Sequence, residues 1–166
     1  MTRKVLVFGI GNPGRRDDGL GPALAEALEA KQLEGVTIDA DYQLTVEDSV
    51  SVAEHDVVVF ADADAVGPEP YSFKPIGPAT GDVGFSTHGA EPGGVLALAE
   101  RVFEKRTEAY VFGIRGYEFE LSMEMTEKAK ANLARALEFI EPLLRGQGSF
   151  AEAAARFADG TPAPLH

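Results

Sequence analysis

The sequence contains no cysteine. That absence removes disulfides, thiolate metal ligands and a cysteine nucleophile together, and it is the usage expected of a cytoplasmic protein. Basic residues are scarce as well: 15 Lys and Arg stand against 27 Asp and Glu, giving a net charge of −12. Such a surface repels phosphate backbones and anionic headgroups, so neither nucleic acid nor membrane is an expected partner. No apolar run approaches the roughly 20 residues that a bilayer crossing needs. The opening Met-Thr-Arg-Lys leads straight into an apolar stretch, without the apolar segment and cleavage site of a secretory signal. No internal repeat is visible. A length of 166 residues, 45% hydrophobic and 25% charged, suits one domain with a substantial core.

What the chain does have is a glycine-rich stretch near its start, Gly9-Ile-Gly-Asn-Pro-Gly-Arg-Arg-Asp-Asp-Gly-Leu-Gly21, with five glycines in thirteen positions. A backbone so composed turns sharply or lets another group approach closely. It joins the apolar run Val5, Leu6, Val7 and Phe8, read as a strand covered on both faces, to a helical pattern of Leu20, Ala23, Leu24, Ala27 and Leu28. Pro22 suits a first helical turn, which leaves Asp17 and Asp18 in the turn before it.

Further along, residues 36–39 form a second candidate strand. Thr45 is expected to cap a short helix that buries Val46, Val50 and Ala53. Residues 57–61, Val-Val-Val-Phe-Ala, make a buried strand that runs into Asp62-Ala-Asp64. Residues 67–84, rich in proline and glycine, read as loop with an edge strand near 71–74. A helix from about Pro92 with Leu96, Leu98, Ala99 and Val102 as its apolar positions follows, then a strand at 110–114. Thr126 caps a long helix that buries Leu133, Leu137, Ile140 and Leu144. Strands alternating with helices imply an α/β fold, a three-layer α/β/α sandwich around a mostly parallel twisted sheet of about five strands, of the phosphorylase/hydrolase-like kind. Residues 1–148 are expected to form a single α/β domain, and 149–166 a short helix and a flexible tail.

In such a fold ligands collect at the carboxyl ends of the strands. Asp18 follows the first strand and Asp62 ends the third. His88, in Ser86-Thr-His-Gly89 just ahead of a helix, lies in a loop able to reach the same edge, whereas His55 and His166 read as surface residues. Gly9-x-Gly11-x-x-Gly14 matches the dinucleotide fingerprint literally. Against that reading, Pro13 removes a backbone donor, Asp17 and Asp18 repel a pyrophosphate, and Asp39 falls too late for the usual ribose-binding acid. One helix cap needs one acid, so the second acid of the pair calls for another explanation. Two carboxylates and an imidazole suit a borderline divalent cation with positions left open for water or substrate. Ser86 and His88, two residues apart, do not give nucleophile–base geometry.

With these residues laid out, the sequence resembles the nickel–iron hydrogenase maturation endopeptidases over roughly residues 5–140. The glycine loop looks like that family's G-x-G-N-x-x-x-x-D-D/E-x-x-G signature. Tyr42-Gln-Leu-Thr45, Phe60-Ala-Asp-Ala63, Ser86-Thr-His88 and Gly113-Ile-Arg-Gly-Tyr-Glu-Phe119 look like further family segments. Phe60-Ala ahead of Asp62 departs from the usual aliphatic-Val pair. The resemblance implies that Asp18, Asp62 and His88 are the metal-binding and catalytic residues, with Asp17 the structural member of the acid pair. It also implies an endopeptidase that removes a C-terminal extension from a hydrogenase large-subunit precursor after nickel insertion. The nickel would arrive with the precursor rather than as a resident cofactor, and other divalent metals would be able to occupy the same ligands in vitro. Such an enzyme is expected in the cytoplasm as a monomer, with the precursor as its partner. Peptide cleavage by a metal-polarised carbonyl, by metal-activated water or by a carboxylate base is equally compatible with this ligand set. Two alternatives stand beside it. Gly9-Ile-Gly-Asn-Pro-Gly14 also looks like the opening of peptidyl-tRNA hydrolase, although Arg-Arg-Asp-Asp-Gly departs from that family's continuation. A non-catalytic metal- or nucleotide-binding module is the other.

Overall fold

The computed structural model describes residues 3–79 and 91–157. Strands β1 (Val5–Ile10), β2 (Val36–Asp41), β3 (Val57–Asp64), β4 (Tyr71–Ile76) and β5 (Glu108–Arg115) form one sheet in the order β2-β1-β3-β5-β4. Four of them are parallel; β4 alone runs antiparallel, along the outer edge of β5. This is the expected α/β architecture with a mostly parallel five-stranded sheet. Pro75 sits in β4, an edge strand, where the hydrogen bond it cannot donate is least missed.

Alternation along the central strands builds two cores. Val5, Val7, Val57, Val59 and Ala61 face one side, against α1 (Leu20–Glu29), α4 (Glu127–Leu144) and α5 (Phe150–Ala155). Leu6, Phe8, Val58 and Phe60 face the other, against α2 (Asp48–Ala53) and α3 (Pro92–Phe103). Covering both faces is the reason these strands are apolar throughout. Phe150, Ala153, Ala154 and Phe157 join the larger core, so α5 packs with the sheet and α4.

The short helices differ from expectation in which face they bury. Val46, just ahead of α2, and Val50 on it are 42% and 44% exposed, while Val52 and the preceding Leu44 are buried. The capping contact also runs in reverse: Asp48 Oδ2 accepts from the Thr45 amide at 2.7 Å. On α3 the buried stripe is Val95, Leu96 and Ala99; Leu98 is half-buried and Val102 is exposed. The six residues of α2 show too little of the 3.6-residue period for the sequence to choose between adjacent faces, while on α3 Val102 lies in the last turn, beyond the buried stripe. On α4, Thr126 caps as expected, accepting from the Ala129 amide at 3.2 Å, and Ile140 and Leu144 are buried. Leu133 and Leu137 are only half-buried, and Ala129, Ala136 and Leu143 complete the inner face.

Parity now places the candidate residues. Asp62 follows Val58 and Phe60 on the α2–α3 face, at the point where β3 leaves the apolar core. Gly9 is paired with Ala61 and Asp62 with Gly113, so the ends of β1, β3 and β5 lie side by side.

Candidate active site

The glycine loop packs backbone against backbone. Gly11 has φ +145°, and a Cβ there would lie 2.0 Å from the Asp18 carbonyl oxygen. A Cβ on Gly21 would lie 2.3 Å from the Ile10 carbonyl and 2.6 Å from that of Ala61. The first turn of α1 is therefore pressed onto the ends of β1 and β3, immediately beside Asp62. Between them a 3-10 turn, Arg16–Gly19, carries both aspartates.

Those adjacent acids face different surroundings. Asp17 is fully buried. Its carboxylate accepts from the Tyr117 amide at 2.8 Å, the Glu118 amide at 3.1 Å, the Thr126 amide at 2.8 Å and the Thr126 hydroxyl at 2.8 Å. Burial alone would raise its pKa, but the donors from Thr126, Tyr117 and Glu118 outweigh it and hold the group below the usual carboxylate range. Asp17 is thus the structural member of the pair.

Asp18 is half-buried and accepts one hydrogen bond among the described residues, from the Asn12 amide to Oδ2 at 2.8 Å. Asp62 likewise accepts one, from the Ala63 amide to Oδ1 at 2.8 Å. Burial pushes the Asp62 carboxyl up to about 7; the Ala63 amide works against that, while the negative charges of Asp18, Asp64 and Glu91 add to it. Among the described residues no basic group figures in these influences. Two carboxylates that each keep an oxygen clear of donors from the described residues, and repel one another, form an incomplete electrostatic arrangement that a cation would complete.

Asp64 is not a third member. Its Oδ1 accepts from the amides of Val66 at 3.0 Å and Gly67 at 2.9 Å, closing the turn after β3. No group of three His, Asp or Glu side chains arranged to hold a metal occurs among the described residues. His88, the third expected ligand, and His166 lie outside them. His55 is tied to the Ser51 carbonyl at 2.6 Å and the Thr37 hydroxyl at 2.9 Å, remote from the carboxyl edge.

The segment after β5 has a role that its sequence did not disclose. The Asp17 amide donates to the Glu118 carbonyl at 3.0 Å, and the Arg16 amide to that of Ser122 at 2.9 Å. Arg115 donates to the Gly67 carbonyl at 2.8 Å and lies over the Tyr117 ring. Asn132 on α4 donates to the Arg115 carbonyl at 3.0 Å. A Cβ on Gly116 would come within 2.9 Å of the Asp17 Cβ, so this glycine makes room for the buried acid. The one available signal was the second acid of the Asp17–Asp18 pair, which had to find its donors somewhere.

No family model matches the sequence, and a comparison with characterised proteins gives no match either. Solved structures do match. The NiFe hydrogenase maturation protease HycI of Thermococcus kodakarensis is 27% identical, with a TM-score of 0.67 over 86% of this chain and 93% of its own. HybD of the same organism is 25% identical, with a TM-score of 0.62 over 85% and 99%. The Escherichia coli hydrogenase maturating endopeptidase HybD shares the fold at 23% identity, with a TM-score of 0.66 over 87% and 94%. Near-complete coverage of chains of this one kind, joined to the glycine-loop signature, supports placing the chain with the nickel–iron hydrogenase maturation proteases.

Proposed function

We propose that the protein removes a C-terminal extension from a nickel–iron hydrogenase large-subunit precursor once nickel has been inserted, and that it recognises the nickel through Asp18, Asp62 and His88. The observation that carries this reading is the pair Asp18 and Asp62 at the carboxyl edge, each with an oxygen that no donor of the described residues occupies, and with Asp18, Asp64 and Glu91 adding negative charge around Asp62. Carboxylate oxygens and an imidazole are a ligand set that nickel accepts. Because the metal belongs to the substrate, it marks the precursor that is ready for cleavage, and a metal-free precursor lacks the handle.

The chain's own residues supply position and proton chemistry. The Asn12 amide fixes the Asp18 carboxylate, and β3 fixes Asp62. A carboxyl titrating near neutrality releases its proton when a cation arrives, and it is also suited to take one from an attacking water. A charge of −12 disfavours the tRNA substrate of the alternative reading.

Incubation with a nickel-loaded precursor, followed by mass spectrometry, tests the activity. Loss of a C-terminal segment is expected, abolished in Asp18→Ala and Asp62→Ala and weakened in His88→Ala. An unchanged precursor mass would contradict it, and full activity in Asp18→Ala would remove that residue from the site.

A further inference from the structure

Leu121 and Met123 are 75% and 78% exposed. They do not sit on a loose loop. Ser122 between them donates its amide to the Gly14 carbonyl at 2.9 Å and accepts from the Arg16 amide at 2.9 Å, a strap bonded to the loop that carries Asp18. Arg16 reinforces the strap from beneath, with Nε on the Glu124 carbonyl at 2.8 Å and Nη1 on the Glu118 and Glu120 carboxylates, both at 2.9 Å. Two large apolar side chains are therefore fixed in place but left in water. The backbone entropy of ordering them is already spent, which is the condition under which a partner gains most from burying them.

Their position identifies that partner. The strap borders the Asp18 loop, and Val66, 89% exposed, stands in the turn that follows Asp62. Tyr42, 68% exposed, directly follows β2 on the far side of the glycine loop. A polypeptide that brings a bond to Asp18 and Asp62 must lie across this rim. We propose that Leu121 and Met123 are the docking platform for the folded body of the protein substrate, whose matching face is apolar and ringed by basic side chains that complement Glu118, Glu120 and Glu124. This rests on the reading of the chain as a protease of a protein precursor.

Initial rates on nickel-loaded precursor test it, with the double variant Leu121→Ser/Met123→Ser compared against Val102→Ser/Phe103→Ser. The control pair is also exposed, but lies at the end of α3, where the chain returns to the amino edge of the sheet. The expected result is a rise in KM of about tenfold with kcat within about twofold for the first variant, and no change for the second. Calorimetric binding of free Ni2+ should be the same in all three proteins. An unchanged KM, or a fall in kcat alone, would overturn the platform while leaving the protease reading intact. Absence of cleavage by the unsubstituted protein would overturn both.

Discussion

Thr126 donates twice to Asp17, its amide to Oδ1 and its hydroxyl to Oδ2, each at 2.8 Å and across 109 residues of chain. The same hydroxyl accepts the Ala129 amide that opens α4. One side chain thus joins the turn bearing Asp18, the segment after β5 and the longest helix. The position of the site acid depends on the burial of its neighbour.

Asp17→Asn should be destabilising by about 3 kcal/mol at pH 7, because an amide NH2 replaces an acceptor among four donors. The sign of the pH dependence follows from the depressed pKa. The stabilisation by Asp17 is present above the unfolded carboxylate pKa and is lost as pH falls through the lower folded value. Denaturant melts from pH 7 to pH 2 should show a steeper acid loss in the unsubstituted protein than in the variant. Parallel curves would contradict this.

Asp62 has the opposite sign. Its folded pKa, about 7, lies above the unfolded value, so the native state binds the extra proton and stability falls as pH rises between about 4 and 7. Asp62→Asn should therefore be inactive yet more stable than the unsubstituted protein at pH 8, by something on the order of 2 kcal/mol, and nearly equal to it at pH 4. Saturating Ni2+ should narrow the difference at pH 8. A variant less stable at pH 8 would show that Asp62 is compensated by a basic partner.

Gly21→Ala tests how closely the helix must approach the sheet. Its Cβ would meet two carbonyl oxygens, at 2.3 and 2.6 Å, and the backbone has to separate. The expected cost is about 2 kcal/mol in stability and a hundredfold or so in cleavage rate, since a shift of this kind displaces Asp18 relative to Asp62. Gly77→Ala, where an added Cβ has nothing within 4 Å, should be neutral in both assays. Equal activity of the two variants would show that the close packing does not position the site.

The sheet was legible in the sequence because strands buried on both faces leave continuous apolar runs, as at Val5 to Phe8 and Val57 to Ala61. Edge strand β4 was legible from its proline. The face of α2 was not, since Val50 and Val52 serve equally well as core residues until the sheet is present to choose; on α3, Val102 shares the face of Val95 but lies in the last turn and is exposed.

Of the proposed site residues, Asp18 and Asp62 stood out in the sequence as charges set after apolar strands, and the structure places both at the carboxyl edge. That Asp17 would be the structural one followed from the family resemblance, but its burial and its donors did not. Tyr117, Glu118 and Thr126 lie a hundred or more residues away, and nothing in the local pattern at Asp17 names them. Exposed Leu121 and Met123 were equally silent, because a sequence shows that a residue is apolar and not whether it is covered.

In the proposed function the carboxylate pair reads a nickel ion brought by the substrate. Paired incubations with nickel-loaded and nickel-free large-subunit precursor, followed by gel mobility, measure it directly. Cleavage of the loaded form only is the expected result; equal cleavage of both forms would contradict nickel recognition.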